Sequence, residues 1–291
     1  MRIATWNVNS IRARLDRLVA WLDRSDVDVI ALQETKVPDA GFPLQVLAEH
    51  GYSVASHGIS QWNGVAVLSR VGIEDVEIGW PGMPGFGDPV APEARAIAAT
   101  CGGVRMVSLY VPNGRSVGDP HYDYKLAWLA SLREHAAARL AADPQLRMAL
   151  CGDFNIAPTD EDVWSVEYYK DSTHVTPPER AAFAALVDAG YADMVRPYAP
   201  GPETYTYWDY TQLAFPKRRG MRIDFLLGSP ALAAATTGAL IDRQERKGKG
   251  ASDHAPVIVD LDLTADIVAP APIPAAPDPE PAAEGQPGLW A

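Results

Sequence analysis

The stretch RIATWNVNSIRARLDRLVAWLDRSDVDVIALQET, residues 2–35, decides the fold. Arg2 to Val8 alternates as a strand does, and Ile11, Leu15, Leu18, Val19 and Leu22 then recur at helical spacing, with Ser10 placed to cap the helix. A second apolar run, Val27 to Leu32, ends at Gln33-Glu34-Thr35. Strand, helix and strand in that order form a βαβ unit. If its strands run parallel, their ends near Asn7 and Glu34 emerge on one edge.

Working outward, further strands are expected at Tyr52 to Ser56, Val65 to Ser69, Ala96 to Thr100, Met106 to Val111, Arg147 to Cys151, Arg222 to Leu227 and Pro256 to Leu263. Helices are expected at Tyr122 to Ala142 and Pro178 to Ala189. Short strands parted by Gly and Pro turns, with few helices between them mid-chain, point to two packed mixed sheets flanked by helices. Residues 1–264 read as one domain. Residues 265–291 hold four acids, no base and seven prolines, a composition expected to stay a disordered Pro/Ala-rich tail.

The 291 residues are 47% hydrophobic and 21% charged, which excludes wholesale disorder. No apolar run approaches the roughly 20 residues of a membrane span, and the start of the chain lacks a signal-peptide layout, so a cytoplasmic protein is expected. Cys101 and Cys151 sit in apolar surroundings and read as buried, reduced thiols. The net charge of −12, about −8 without the tail, argues at first against a nucleic-acid partner. The bases are clustered, however: Arg12, Arg14 and Arg17; Lys217, Arg218, Arg219 and Arg222; Arg243, Arg246, Lys247 and Lys249.

Polar residues recur just after the apolar strand runs, where rigid scaffolds present chemistry. They are Asn7 and Asn9, Glu34, Tyr110, Asp153 and Asn155, Asp224, and Asp253 with His254. Any one has an ordinary explanation as a cap or a turn. Together, four carboxylates, carboxamides, a tyrosine and a histidine make the inventory of a divalent-metal phosphodiesterase. Hard oxygen donors without thiolates or paired histidines suit Mg²⁺ or Mn²⁺ rather than zinc.

The motifs WNVNSIRARLDRL, LQETK, LYVPNG, GDFNIAP, RIDFLL and SDHAPV occur in that order, and the chain resembles the exonuclease III family of DNA-repair nucleases. That resemblance implies a four-layer α/β sandwich, cleavage of DNA 5′ to abasic sites, and 3′ to 5′ exonuclease action on duplex ends, all dependent on Mg²⁺. It implies metal ligation by Glu34, with Asn7 and Asp253 near the same ion and Asp153 and Asn155 also at the metal. Asp153 would handle the proton of water or leaving group. Asn155, Tyr110 and His254 would contact the phosphate, Asp224 would orient His254, and Asn9 would support or bind phosphate. Trp208 and Met221 would line the pocket for the abasic sugar, and Arg218, Arg219 and Arg222 would grip the backbone of duplex DNA.

Other branches of the wider superfamily hydrolyse phosphoinositides, sphingomyelin or RNA tails, and GDFN and SDH do not separate them. WNVNSIRAR, LQETK and the aromatic-basic segment YTYWDYTQLAFPKRRGMRID favour the DNA-repair branch. A DNA-binding scaffold without catalysis would require loss of a metal or proton-transfer residue. None is lost. A monomer acting on DNA, with no membrane partner, is the resulting expectation.

Overall fold

In the computed structural model, which describes residues 1–264, β1 (Arg2–Asn7) and β2 (Val29–Gln33) pair in parallel, with Ile3 opposite Val29 and Asn7 opposite Gln33. The crossover is α1 (Ile11–Ser25), so the opening βαβ unit forms as its pattern predicts. Ser10 makes no capping bond, contrary to expectation. Asn9 and Ser10 both take positive φ, and the amides of Ser10 and Ile11 donate instead to the Glu34 and Thr35 carbonyls at 2.7 and 3.0 Å. The end of β2 thereby satisfies the helix N-terminus through main chain.

After β2 come α2 (Leu44–Glu49), β3 (Ser53–His57), β4 (Val65–Ser69), β5 (Glu74–Ile78), β6 (Ala96–Cys101), β7 (Val104–Tyr110), α3 (Pro120–Ala142) and β8 (Met148–Asp153). Then follow α4 (Val166–Tyr169), α5 (Pro177–Asp188), β9 (Ala192–Asp193), β10 (Asp224–Gly228), α6 (Pro230–Ala233), β11 (Thr236–Ile241) and β12 (Val257–Leu261). They build two six-stranded mixed sheets, ordered β11-β12-β1-β2-β4-β3 and β5-β6-β7-β8-β10-β9. The expected segments form, with ends shifted by a few residues. The unexpected strands β5 and β11 are partly or wholly exposed edges, whose composition follows solvent rather than the core.

Strand alternation divides the apolar side chains among layers. Ile3, Val29, Ala31, Val65 and Val67 face Met106, Ala149, Cys151 and Leu226 between the sheets. Ala4, Trp6, Ile30 and Leu32 pack outward on Leu18, Trp21 and Leu22 of α1. Leu150, Phe225 and Leu227 pack outward on Trp128 and Leu132 of α3 and Phe183 of α5. Helices, sheet, sheet, helices: this is the expected four-layer α/β sandwich. Each fully buried Leu, Ile, Val or Phe contributes about 1.5–3 kcal/mol, and both free cysteines are buried within the strands.

The inner faces turn polar at one end. Tyr110 pairs with Asp153 across β7 and β8, and Asp153 pairs with Asp224 across β8 and β10, so three polar side chains share one rung. Gly152 permits this register: a Cβ there would lie 1.9 Å from the Leu109 carbonyl oxygen, and its φ is +143°. Gly152→Ala is expected to push β8 off β7 and cost roughly 3 kcal/mol or more. A denaturant midpoint unchanged from wild type would show that β7 yields instead.

Candidate active site

Because β1, β2, β7, β8 and β10 end together, their terminal polar residues converge where water meets the seam between the sheets. Glu34 and Lys36 follow β2 with positive φ, which turns the chain back over the seam. Asn7, 0% exposed, donates one amide proton to Glu34 Oε1 at 2.8 Å and the other to Asp153 Oδ2 at 3.0 Å. Its Oδ1 accepts from the Asn9 amide at 3.0 Å. Lys36 Nζ lies 2.7 Å from Glu34 Oε2 and 2.5 Å from Asn9 Oδ1. Asn9 also donates to Asp253 Oδ1 at 3.0 Å.

His254 enters from the loop before β12, and its position is fixed by main chain as well as side chain. Its carbonyl accepts from Trp6 Nε1 at 3.1 Å, while Ser252 Oγ accepts its amide and donates to the Asn7 carbonyl. Nδ1 lies 2.8 and 3.1 Å from the two Asp224 oxygens, and Nε2 faces Asp153 Oδ2 at 3.8 Å. Asp224 and Asp153 together hold the imidazole's pKa at about 10 despite complete burial. Burial pushes the Asp153 carboxyl up to about 7, with Asp224 and Glu34 adding to the rise and His254 opposing it. Tyr110, deep in the site beside Glu34, keeps its proton far past neutrality because burial and that carboxylate disfavour a phenolate. Arg95 lies over its ring at 4.9 Å.

Glu34, Asp153 and His254 bring ligand atoms within 4.8 Å of one another. Asp253 stands outside this group, engaged with Asn9. The two carboxylates fit a hard divalent cation: burial, Asp224 and Glu34 raise the cost of ionising Asp153, which a dication would relieve. A buried histidine held cationic by a carboxylate favours an electron-rich phosphoryl oxygen.

Asn155 is set by a second layer that its motif does not reveal. Its backbone amide donates to Asp153 Oδ1 at 2.9 Å and its Nδ2 to the Val111 carbonyl at 3.0 Å. Oδ1 is met by Asn113 Nδ2 at 3.2 Å and His174 Nε2 at 3.0 Å, and the carbonyl by Lys125 Nζ at 2.7 Å. Lys125 pairs with Glu179, both fully buried, and Glu179 also accepts from Thr173 and the His174 amide.

The basic segment divides. Arg222 is 4% exposed and bound to Asp162 and Asp193, so it is not available to a ligand as expected; it closes a buried ion network beneath the site. Arg218 is exposed and paired with Glu203, while Arg219 lies over the Trp164 ring at 4.8 Å. Trp208 also departs from expectation. At 1% exposure it packs on Tyr205 and Phe215, and its neighbour Tyr207 faces outward instead. The Tyr207 ring stands 4.9 Å from that of His254 and, with Met221, Trp164, Tyr169 and Arg219, lines a pocket of about 140 Å³.

A polar cluster at the mouth of a two-sheet sandwich, in which Glu34, Asp153 and His254 converge with Asn7 and Asn155 beside them, has the donor set of a metal-dependent phosphodiesterase. Residues 4–254 match the Endonuclease/Exonuclease/phosphatase family, to which the chain belongs. It is 30% identical over 268 residues to DNA repair nuclease APEX1 of Danio rerio, covering 90% of this chain and 82% of that one. It is 30% identical over 269 residues to exodeoxyribonuclease III of Haemophilus influenzae, covering 88% and 98%. Among solved structures, a variant of the Neisseria 3′ phosphatase NExo bound to product DNA hairpin superposes with a TM-score of 0.84 at 36% identity, over 90% of this chain and 100% of that one. An AP endonuclease from Archaeoglobus fulgidus gives 0.84 at 33%, with the same coverage.

Two predictions follow from the electrostatics. The His254 pKa is raised on folding, so its stabilisation is complete below the unfolded value near 6.5 and is lost as pH climbs through about 10. Asp224→Asn should lower the midpoint of the His254 ring by about 1–3 units; NMR titration of the EDTA-treated protein reads it, and an unmoved midpoint would assign the shift to Asp153 instead. Arg222→Ala should cost about 1–3 kcal/mol, since buried Asp162 loses one of its two guanidinium partners and keeps Arg196 and Thr159, whereas a stability loss below about 0.5 kcal/mol in urea would return Arg222 to the surface role.

Proposed function

We propose that the protein is a Mg²⁺-dependent DNA-repair nuclease of exodeoxyribonuclease III type, hydrolysing phosphodiesters 5′ to abasic sites and removing nucleotides 3′ to 5′ from duplex ends. The observation that carries it is the Asn7 amide joining Glu34 to Asp153 beside a cationic His254. A divalent cation, Mg²⁺ with Mn²⁺ as substitute, would be held by Glu34 and Asp153 with Asn7 between them, and Asp253 and Asn155 nearby. When bound, it would polarise a phosphoryl oxygen and ease departure of the leaving oxygen.

The remaining steps belong to the side chains. Asp153 accepts a proton from the water that attacks phosphorus. His254 Nε2 donates to a non-bridging oxygen as the new P–O bond forms and the bond to the leaving oxygen breaks, with Asp224 holding the ring by its other nitrogen. Asn155 Nδ2 has one proton left for phosphate after serving Val111. Tyr110, kept neutral, is a further donor. Met221 and Tyr207 offer apolar walls to a sugar lacking its base, and Arg219 a cation beside them. All these groups come from residues 1–264 of one chain, which supports a catalytic domain working as a monomer; a cytoplasmic setting accords with it. Among the described residues no helix is long and apolar enough to cross a membrane.

The test is incubation with a labelled duplex carrying one abasic-site analogue, and with an intact duplex bearing a recessed 3′ end, each with Mg²⁺ and with EDTA. Metal-dependent incision 5′ to the lesion and stepwise 3′ trimming are expected. Release of phosphate from inositol phosphates instead would overturn the reading. Glu34→Ala should remove most activity with the melting temperature held, and near-normal turnover at low Mg²⁺ would exclude Glu34 as a ligand. Arg219→Ala should flatten the salt dependence of duplex binding by about one charge equivalent; an unchanged slope would place phosphate elsewhere.

A further inference from the structure

His174 holds a backbone conformation that its side chain makes costly. It lies at φ +85°, in the left-handed region where a residue with a Cβ is strained and glycine is not. The turn is pinned all the same. The His174 amide donates to Glu179 Oε1 at 2.9 Å, its carbonyl accepts from the Ala157 amide at 2.8 Å, and Thr173 Oγ1 donates to the same carboxylate at 2.6 Å. Strain held this firmly beside a reacting cluster points to a use for the side chain. The imidazole reaches one residue of that cluster, Asn155, whose Oδ1 lies 3.0 Å from Nε2.

Main chain decides which way the neighbouring amides turn. The Val111 carbonyl can only accept, so Asn155 Nδ2 faces it at 3.0 Å and Oδ1 faces the opposite way. The Arg115 amide can only donate, so Asn113 Oδ1 accepts it at 3.0 Å and Asn113 Nδ2 turns toward Asn155 Oδ1, at 3.2 Å. His174 Nε2, 3.3 Å from Asn113 Nδ2, converges on the same oxygen. It bonds that oxygen only as the protonated nitrogen, because two lone pairs at 3.0 Å repel. Both acceptor sites of Asn155 Oδ1 are then filled by N–H donors, and the oxygen has no lone pair left for a cation. Nδ2 keeps one proton beyond the one given to Val111.

We propose that His174 is a positioning residue that commits Asn155 to the role of N–H donor toward the scissile phosphate and withdraws it from the metal's ligands. The proposal rests on the nuclease reading and deepens it, since the imidazole reaches the reaction only through Asn155. Without His174, one donor holds the oxygen, and the carboxamide is free to rock away from phosphate or to turn its oxygen toward the charged cluster. The effect falls on the chemical step, because a fixed donor stabilises most the charge that develops on the phosphoryl oxygens. Binding of the duplex, which is spread over many phosphates, changes little.

The experiment uses the full chain with Mg²⁺ and a labelled DNA duplex bearing a recessed 3′ end. His174→Gly should lower kcat roughly 10- to 100-fold, short of the roughly 10²- to 10³-fold that follows loss of a whole oxyanion donor, and leave KM within about twofold. Glycine relieves the strain at φ +85°, so the protein should stay folded at the assay temperature as kcat falls. His174→Gln, which keeps an N–H donor at similar reach, should recover most of kcat. In an Asn155→Ala background, His174→Gly should cost less than about twofold in single-turnover rate, as groups that act as a unit do. The ¹⁵N shifts of the His174 ring should report the form protonated at Nε2. Wild-type kcat in His174→Gly, no recovery in His174→Gln, an undiminished loss in the Asn155→Ala background, a kcat loss accounted for by unfolded protein, or a ring protonated at Nδ1 alone would each overturn the assignment. A wild-type protein that cleaves no DNA overturns the nuclease reading, while the ring shifts still decide the contact between His174 and Asn155.

Discussion

Carboxylates of like charge must be held together at the mouth of a low-dielectric seam, and the Asn7 amide is the group that meets this constraint. One of its protons goes to Glu34 on the first sheet and the other to Asp153 on the second. A carboxamide can do this without adding charge, so the site keeps the negative potential that a dication requires. Lys36 and His254 then offset Glu34 and Asp153 from opposite sides. Each compensating group is itself fixed by backbone or by a second acid, and the arrangement is set before any substrate arrives. Such preorganisation is how fixed dipoles stabilise charge that develops in a transition state.

The sandwich supplies this arrangement through register. Every residue of β1, β2, β8 and β10 that faces the other sheet is apolar until the last rungs, where side chains become polar. Just below the site, Gln33 of the first sheet donates to Ser108 of the second at 3.0 Å and exchanges bonds with Thr5, while Ser108 donates to the Leu32 carbonyl. This satisfied polar layer separates the dry core from the charged rung and locks one sheet's register to the other's. A slip of one residue in any strand would turn the site carboxylate to the wrong face.

The legible part of the fold was the part set by local pattern. The opening βαβ unit and Val65–Ser69 follow from alternation and apolar runs, and the strand-end carboxylates stand out because acids after hydrophobic runs are costly without a task. Edge strands β5 and β11 left no such trace. The network behind Asn155 was hidden for a different reason: Lys125 and Glu179 sit in helices α3 and α5, where a lysine and a glutamate 54 positions apart look like solvated surface. Only tertiary packing makes them a buried pair. The same limit explains Trp208 and Arg222. Tyr207 exchanges main-chain bonds with Met221, and this bridge decides which of two adjacent aromatics faces the pocket; Arg222 meets its partners, Asp162 and Asp193, only through the fold.

The acidic net charge becomes intelligible once each base is assigned its work. Arg14 reaches the Tyr210 hydroxyl and the Ala251 carbonyl, Arg17 the carbonyls of Glu245 and Lys247, and Arg246 those of Trp208 and Asp209. Arg14 and Arg17 stitch the segment before His254 to α1 and Arg246 ties it to the Trp208 loop, so much of their hydrogen-bonding capacity is spent on protein. Arg14 and Arg246 still contribute positive potential, since donating to a neutral carbonyl cancels no charge, and Arg246 does so near Asp253, whereas Arg17 is offset by the Glu245 carboxylate at 3.4 Å. Acids elsewhere on the surface hold the total negative while the rim near Asp253 remains favourable to phosphate, because at physiological salt charges more than about 8 Å away are largely screened. Attraction for a polyanion is therefore set by the few cations within that distance of the mouth, and the overall charge of the chain has little say in it.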